Sequence, residues 1–253
     1  MCFDRFRRSA VLIALFLAAP LAAHQPWVLT DREEVATGQA VDVQVYFGHV
    51  FPGHELIDAE RVAAVQTVDP GGRVRPLDTD SRMPFPTPPL DETGTWVIAV
   101  EQVRGYWTQT PEGGRPLPRT ELREPVHCSY SGNSAKTVVR VGADERHAID
   151  RPLGHRLEIL PGDDPTNLEA GDRLTIEVRF DGQPHVGSVL LFHADSGEEP
   201  YSTVETDAGG RAVFGLEGAG PWMAVAHAER PYPDPEVCDV ESFHATLTFG
   251  GSR

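Results

Sequence analysis

His24, His49, His54 and His227 are the residues in this sequence whose types and positions could hold a metal ion. Imidazole nitrogen is a common ligand for borderline transition metals such as nickel and copper. His24 offers more than the others. It follows Leu21-Ala22-Ala23, and cleavage after Ala23 would make it the first residue of the mature chain. An N-terminal histidine presents its α-amine and its imidazole together, a two-nitrogen chelate from one residue. His49 and His54 lie in Gly48-His49-Val50-Phe51-Pro52-Gly53-His54, a Gly/Pro loop at the end of an alternating strand. Loops on a rigid scaffold collect binding groups, although two solvated loop histidines would account for this stretch equally well. His127, His193 and His244 are further candidate donors. His147, His155 and His185 stand in polar linker or turn contexts and read as ordinary surface residues. No two histidines stand at i, i+2 or i, i+4, so a site must be assembled in three dimensions. The expected one joins the His24 amine and imidazole to His49, with His227 or His54 completing it.

Cys128 and Cys238 remain once Cys2 leaves with the leader. An even number of cysteines in an oxidising compartment reads first as a disulfide. Each lies in a loop just before a closing strand, one per segment, so a Cys128–Cys238 bridge would clamp the segments together. Two thiols serving as metal ligands are the alternative. No catalytic constellation is visible: there is no Gly-x-Ser-x-Gly elbow, no His-Glu-x-x-His helix and no phosphate-cradling glycine loop. The chain therefore reads as a non-enzyme. A lytic monooxygenase, which also uses an N-terminal histidine, is the one enzymatic alternative, and copper-dependent peroxide formation would reveal it.

The elements that must position these groups begin with a leader. Residues 1–23 carry Arg5, Arg7 and Arg8, then an apolar run from Ala10 to Ala19 that is too short to span a bilayer. They read as a signal peptide, and the mature protein is expected to be soluble and periplasmic, without stable membrane insertion. The whole chain has a formal charge of −16, and the leader's three Arg and one Asp contribute +2, leaving −16 − 2 = −18. A chain this acidic does not bind nucleic acid through its overall field.

With 24 Gly, 22 Pro and many short β-branched runs, the sequence reads as all-β. Val41 to Phe47 alternates with period two, and Asp69-Pro70-Gly71-Gly72 is a hairpin turn. Gln109 to Pro125 is a long polar loop. Residues 24–143 form a first β-sandwich segment, 144–154 a charged linker, and 155–250 a second sandwich of Ig-like or transthyretin-like, Greek-key type. On the closing strand His244 lies opposite Phe243, Ala245, Leu247 and Phe249 and is expected to face solvent.

A run of turn motifs carries a resemblance: Asn167-Leu168-Glu169-Ala170-Gly171-Asp172, Phe180-Asp181-Gly182-Gln183-Pro184, Thr206 to Phe214, and Gly220-Pro221-Trp222. The first segment adds Phe47-Gly48-His49-Val50-Phe51 and Ser134 to Val139. In this order they resemble a family of exported bacterial proteins, long labelled a domain of unknown function. Its members are described as a periplasmic component or accessory of nickel/cobalt uptake systems. The resemblance spans most of the mature chain and implies an Ig-like sandwich, a nickel or cobalt ion, and an inner-membrane transporter component as partner. The acidic loop from Pro231 to Asp239, with Cys238, departs from the family pattern. An Ig-like envelope interaction module that binds no metal is the reading of a different class.

Overall fold

The structure is a computed structural model that describes residues 24–53, 55–79 and 82–250. Its alternating and β-branched runs pair into three sheets, and its only helical pieces among the described residues are short 3-10 turns. The small sheet joins β1 (Gln25–Thr30) to β3 (Asp42–Gly48) and β6 (Phe85–Pro86). The large sheet runs, in spatial order, through β16 (Ser202–Glu205), β15 (Ser188–His193), β18 (Trp222–Pro231), β19 (Val240–Phe249), β11 (Ser134–Val141), β7 (Gly94–Gln102), β4 (Val62–Val68) and β5 (Val74–Pro76). An arm of β10 (His127–Ser131), β8 (Gly105–Thr110) and β9 (Gly113–Arg115) extends from β19, and β2 (Glu34–Val35) lies beside β11. The third sheet holds β12 (Leu157–Pro161), β13 (Arg173–Phe180), β14 (Gln183–Pro184) and β17 (Arg211–Gly215).

The layers follow from side-chain parity, since successive residues of a strand point to opposite faces. On β11, Ala135, Val139 and Val141 join Trp96, Ile98 and Val100 of β7 beneath Val28, Val43 and Val45 of the small sheet. On β19, Phe243, Ala245, Leu247 and Phe249 point the other way, into a core with Leu174, Ile176 and Val178 of β13. The large sheet is thus covered on one face by the small sheet and on the other by the third sheet. The all-β sandwich architecture agrees with the sequence reading.

The two segments share the large sheet. β11, before residues 144–154, pairs in parallel with β19, from Ser134↔Ala245 to Thr137↔Thr248. β10 continues the same parallel alignment, from Ser129↔Val240 to Ser131↔Ser242. Three ties reinforce this seam. Cys128 and Cys238 form a disulfide. Lys136 Nζ donates to Glu158 Oε1 at 2.6 Å and to the Ile159 carbonyl at 3.2 Å. Thr95 Oγ1 donates to Asp164 Oδ2 at 2.6 Å.

Three local expectations are corrected. The polar stretch after Gln109 contains β9, and Cys128 lies within β10 rather than in a loop. Cross-strand pairing with β8, as at Cys128↔Thr108, orders a segment that lacks alternation of its own. His155 is buried, with a side chain 1% exposed, beside Glu101 of β7.

His155 carries a consequence for stability. Neither ring nitrogen has a hydrogen-bond partner among the described residues. Glu101 Oε1 stands 3.4 Å from Nε2, close enough for charge attraction but without hydrogen-bond alignment. Burial, and then the Lys136 ammonium, hold this imidazole below its ordinary pKa, against Glu158 and Glu101. The unfolded chain therefore binds a proton near pH 6.5 that the folded chain refuses, so stability falls as pH drops below that value. The expected outcome for His155→Leu is a shallower loss of stability between pH 7 and pH 5, read from urea midpoints at each pH. An unchanged slope would mean that His155 does not carry the linkage.

Candidate metal centre

The site is built on the pairing of β1 with β3. Their register sets Gln25 opposite Gly48, so His24 and His49 leave the two strand ends side by side. Their ring centroids are 3.7 Å apart, with the planes tilted by 59°. His24 also stacks on Phe47 at 5.4 Å, and the Arg61 guanidinium lies 4.4 Å from the centre of that Phe47 ring.

The loop that carries His49 is fastened from below. Phe51 is fully buried and packs edge-on against Trp27 at 6.1 Å. The Trp27 indole Nε1 donates to the Pro52 carbonyl at 3.2 Å. Gly53 turns the chain at φ 33°, where a Cβ would stand 2.2 Å from the Val50 carbonyl oxygen; only glycine adopts this bend without strain. Phe47 N then donates to the Glu55 carbonyl at 3.1 Å, which returns the chain alongside β3.

His24 is exposed and His49 half-buried. Partial burial lowers the His24 pKa, and the His49 ring adds to that; Glu55 opposes it and Arg61 reinforces it. That shift favours the neutral imidazole, the form that ligates metal. His54 lies outside the described residues, as do residues 1–23 with the expected leader.

His227 is not brought to this pair; it is set against His244. β18 and β19 place His227 directly opposite His244, with ring centroids 4.5 Å apart and planes 24° from parallel. His227 is exposed, its Nε2 lying 3.0 Å from Ser242 Oγ. The expectation that His244 faces solvent is corrected: it is half-buried. Its face of β19 is the one under the small sheet, where Thr246 Oγ1 donates to the Pro26 carbonyl at 2.8 Å and Thr248 Oγ1 to that of Val28. Burial and the neighbouring His227 push the His244 pKa down to about 3. His185, read from sequence as an ordinary surface residue, has its Nε2 3.3 Å from the His227 carbonyl. Alternation did place His244 on a defined face of its strand; its pairing with His227 required the β18–β19 register.

Among the remaining donors, His193 Nε2 lies 2.9 Å from the Ala219 carbonyl and its ring packs on Trp222 at 4.4 Å. His127 Nδ1 lies 3.8 Å from Asp239. Cys128 and Cys238 are bonded to each other, so neither is a thiol ligand. Among the described residues, no group of three or more His, Cys, Asp or Glu side chains is gathered as a metal cage. What is gathered is two imidazole pairs, and each could supply two nitrogens.

Fold and site together define an all-β sandwich protein with a histidine pair at the entrance to its first strand. The chain belongs to the family described as Domain of unknown function (DUF4198), whose profile matches residues 21–230. No curated protein matches it. Among solved structures it is similar to Salmonella alpha-2-macroglobulin reacted with methylamine, at 13% sequence identity and a TM-score of 0.26, over 91% of this chain and 15% of that one. It is also similar to the native conformation of E. coli alpha-2-macroglobulin, at 14% identity and a TM-score of 0.24, over 91% of this chain and 14% of the other. The chain thus spans a small part of those proteins. Among the described residues no helix is long and apolar enough to cross a membrane, which says nothing of a β-barrel.

Proposed function

We propose that this chain is an exported, periplasmic metal-binding accessory protein. It handles nickel or cobalt, with copper as an alternative cargo, beside an inner-membrane transporter component. The observation that supports this most is the contact between His24 and His49, two imidazoles 3.7 Å apart at the entrance to β1. In a chain cleaved after Ala23 the α-amine of His24 joins them, giving three nitrogen donors of the kind nickel and copper favour. Nickel or cobalt as the cargo rests on the resemblance carried by the turn motifs. On this reading its role is to bind and present the ion.

The test is calorimetric titration of Ni²⁺, Co²⁺ and Cu²⁺ into protein that begins at His24 and carries no affinity tag. The expected outcome is binding that weakens at least about tenfold, or roughly 1.4 kcal/mol, in His24→Ala and in His49→Ala. Binding weakens as pH falls through the histidine range, because the ligands must be unprotonated. Bound metal also raises the melting temperature by mass action. Unchanged binding in both variants would remove these residues from the site.

A non-metal envelope interaction module is the second reading. The arm supports it: Trp107 is 53% exposed and Val126 65%, and Val126 N donates to the Gln109 carbonyl of β8. Failure of the wild-type chain to take up any of the three ions at micromolar concentration would favour this reading.

A further inference from the structure

We propose that His227 and His244 form a second transition-metal site, distinct from the one at His24, which takes a borderline divalent ion such as Cu²⁺ or Ni²⁺. The pair is positioned by the rigid part of the fold. β18 and β19 are adjacent central strands with unbroken register from Trp222↔Phe249 to Pro231↔Val240. Cross-strand neighbours on one face stand close enough for their side chains to meet, and here both are imidazoles, stacked at 4.5 Å.

The surroundings suit ligation better than simple packing. Further along the same face, Met223 and Val225 fill their positions with apolar side chains against Trp27 and Phe51. At 227 and 244 the apolar filling gives way to two nitrogen heterocycles at the rim. The ring of His244 makes no hydrogen bond among the described residues, while its backbone N–H is satisfied by Asn133 Oδ1 at 3.0 Å. On His227, Nε2 lies 3.0 Å from Ser242 Oγ. A hydroxyl that engages one ring nitrogen fixes the ring's orientation and leaves Nδ1 as the metal-facing donor, the usual outer-shell device for a histidine ligand. Around the pair stand His185, at the His227 carbonyl, and Glu229, two residues along the same strand face, whose charge reaches His227. Glu229 could join water in completing the coordination.

This site needs no free α-amine, so it does not depend on where the leader is cut. It also adjoins the first. β1 runs along β19 with Pro26 at Thr246 and Val28 at Thr248, and one further step in that direction leads from His244 towards His24. Two neighbouring two-imidazole sites on one rim would let an ion pass between ligand sets without release to solvent.

The experiment uses the full mature chain in three forms: wild type, His24→Ala/His49→Ala, and the latter with His227→Gln added. Cu²⁺ and Ni²⁺ are titrated calorimetrically, and histidine ring resonances are followed by ¹⁵N–¹H correlation while Cu²⁺ is added. The His24→Ala/His49→Ala form is expected to keep one equivalent of bound ion and to lose His227 and His244 ring signals selectively by paramagnetic broadening. Adding His227→Gln should abolish that equivalent while circular dichroism stays unchanged; His227 is exposed, so folding is preserved. If the His24→Ala/His49→Ala form binds no ion while the wild type does, the second site is refuted and the first stands. If the His227 and His244 signals stay sharp while metal binds, the ligands lie elsewhere and the proposal is overturned.

Discussion

Replacing Lys136 with methionine is expected to destabilise the protein by about 3–5 kcal/mol, among the largest effects of any single substitution here. Lys136 and Glu158 are each only 3% exposed at the side chain. Burial holds the lysine pKa below its ordinary value, outweighing the attraction of Glu158. The ion pair is therefore a weak source of net stability while intact, and a large liability once broken. In Lys136→Met the Glu158 carboxylate stays buried in the seam between the segments without its ammonium partner. It retains the Leu153 N–H, which donates to Oε1 at 2.7 Å. Lys136→Met/Glu158→Gln should recover most of the loss, since the amide keeps an acceptor for Leu153 and carries no charge. Urea denaturation of both variants against wild type measures this. A double variant no more stable than the single one would show that the stranded charge is not the cause.

Reducing the Cys128–Cys238 bond is the second large effect. The bond closes a loop with a sequence separation of 110 residues. Constraining a loop of that length in the unfolded chain, and losing that constraint on reduction, is worth about 2–5 kcal/mol. The folded geometry around it is held independently. Cys128 N donates to Asp239 Oδ2 at 2.8 Å, Asp239 N donates to the Cys128 carbonyl at 3.2 Å, and Arg119 pairs with the same Asp239 carboxylate. The reduced protein should therefore remain folded without denaturant and unfold at a clearly lower urea midpoint. Coincident midpoints with and without reductant would contradict the loop-entropy account.

The strands were legible where alternation is strict. The alternating run from Val41 to Phe47 is β3, shifted by one residue, and the turn at Asp69-Pro70-Gly71-Gly72 joins β4 to β5. The meeting of His24 with His49 was legible in part, because both flank strands that a short connection can pair. The environment of His244 was not: alternation separates two faces of β19 without saying which is covered, and here both are. Nor could the burial of His155 be read, since it lies in a stretch with no periodicity, where polar neighbours in sequence do not reveal neighbours in space. The parallel alignment of β11 with β19 joins residues 111 positions apart, as at Ser134↔Ala245. No local signal encodes such a pairing; it depends on complementary surfaces that exist only once both segments have formed.

That same alignment governs the order in which the chain can fold. β19 lies in the middle of the large sheet, between β18 and β11, yet it follows every other strand of these sheets in chain order. Until it arrives, β11 carries an open edge, and the Thr246 and Thr248 anchors that hold β1 in place do not exist. Pairings so distant in sequence raise the contact order and slow folding, and an unpaired strand edge is a template for association with other chains. The first segment emerges as an unfinished half-sheet that must be kept from self-pairing, and the histidine rim is completed only when β19 joins the sheet.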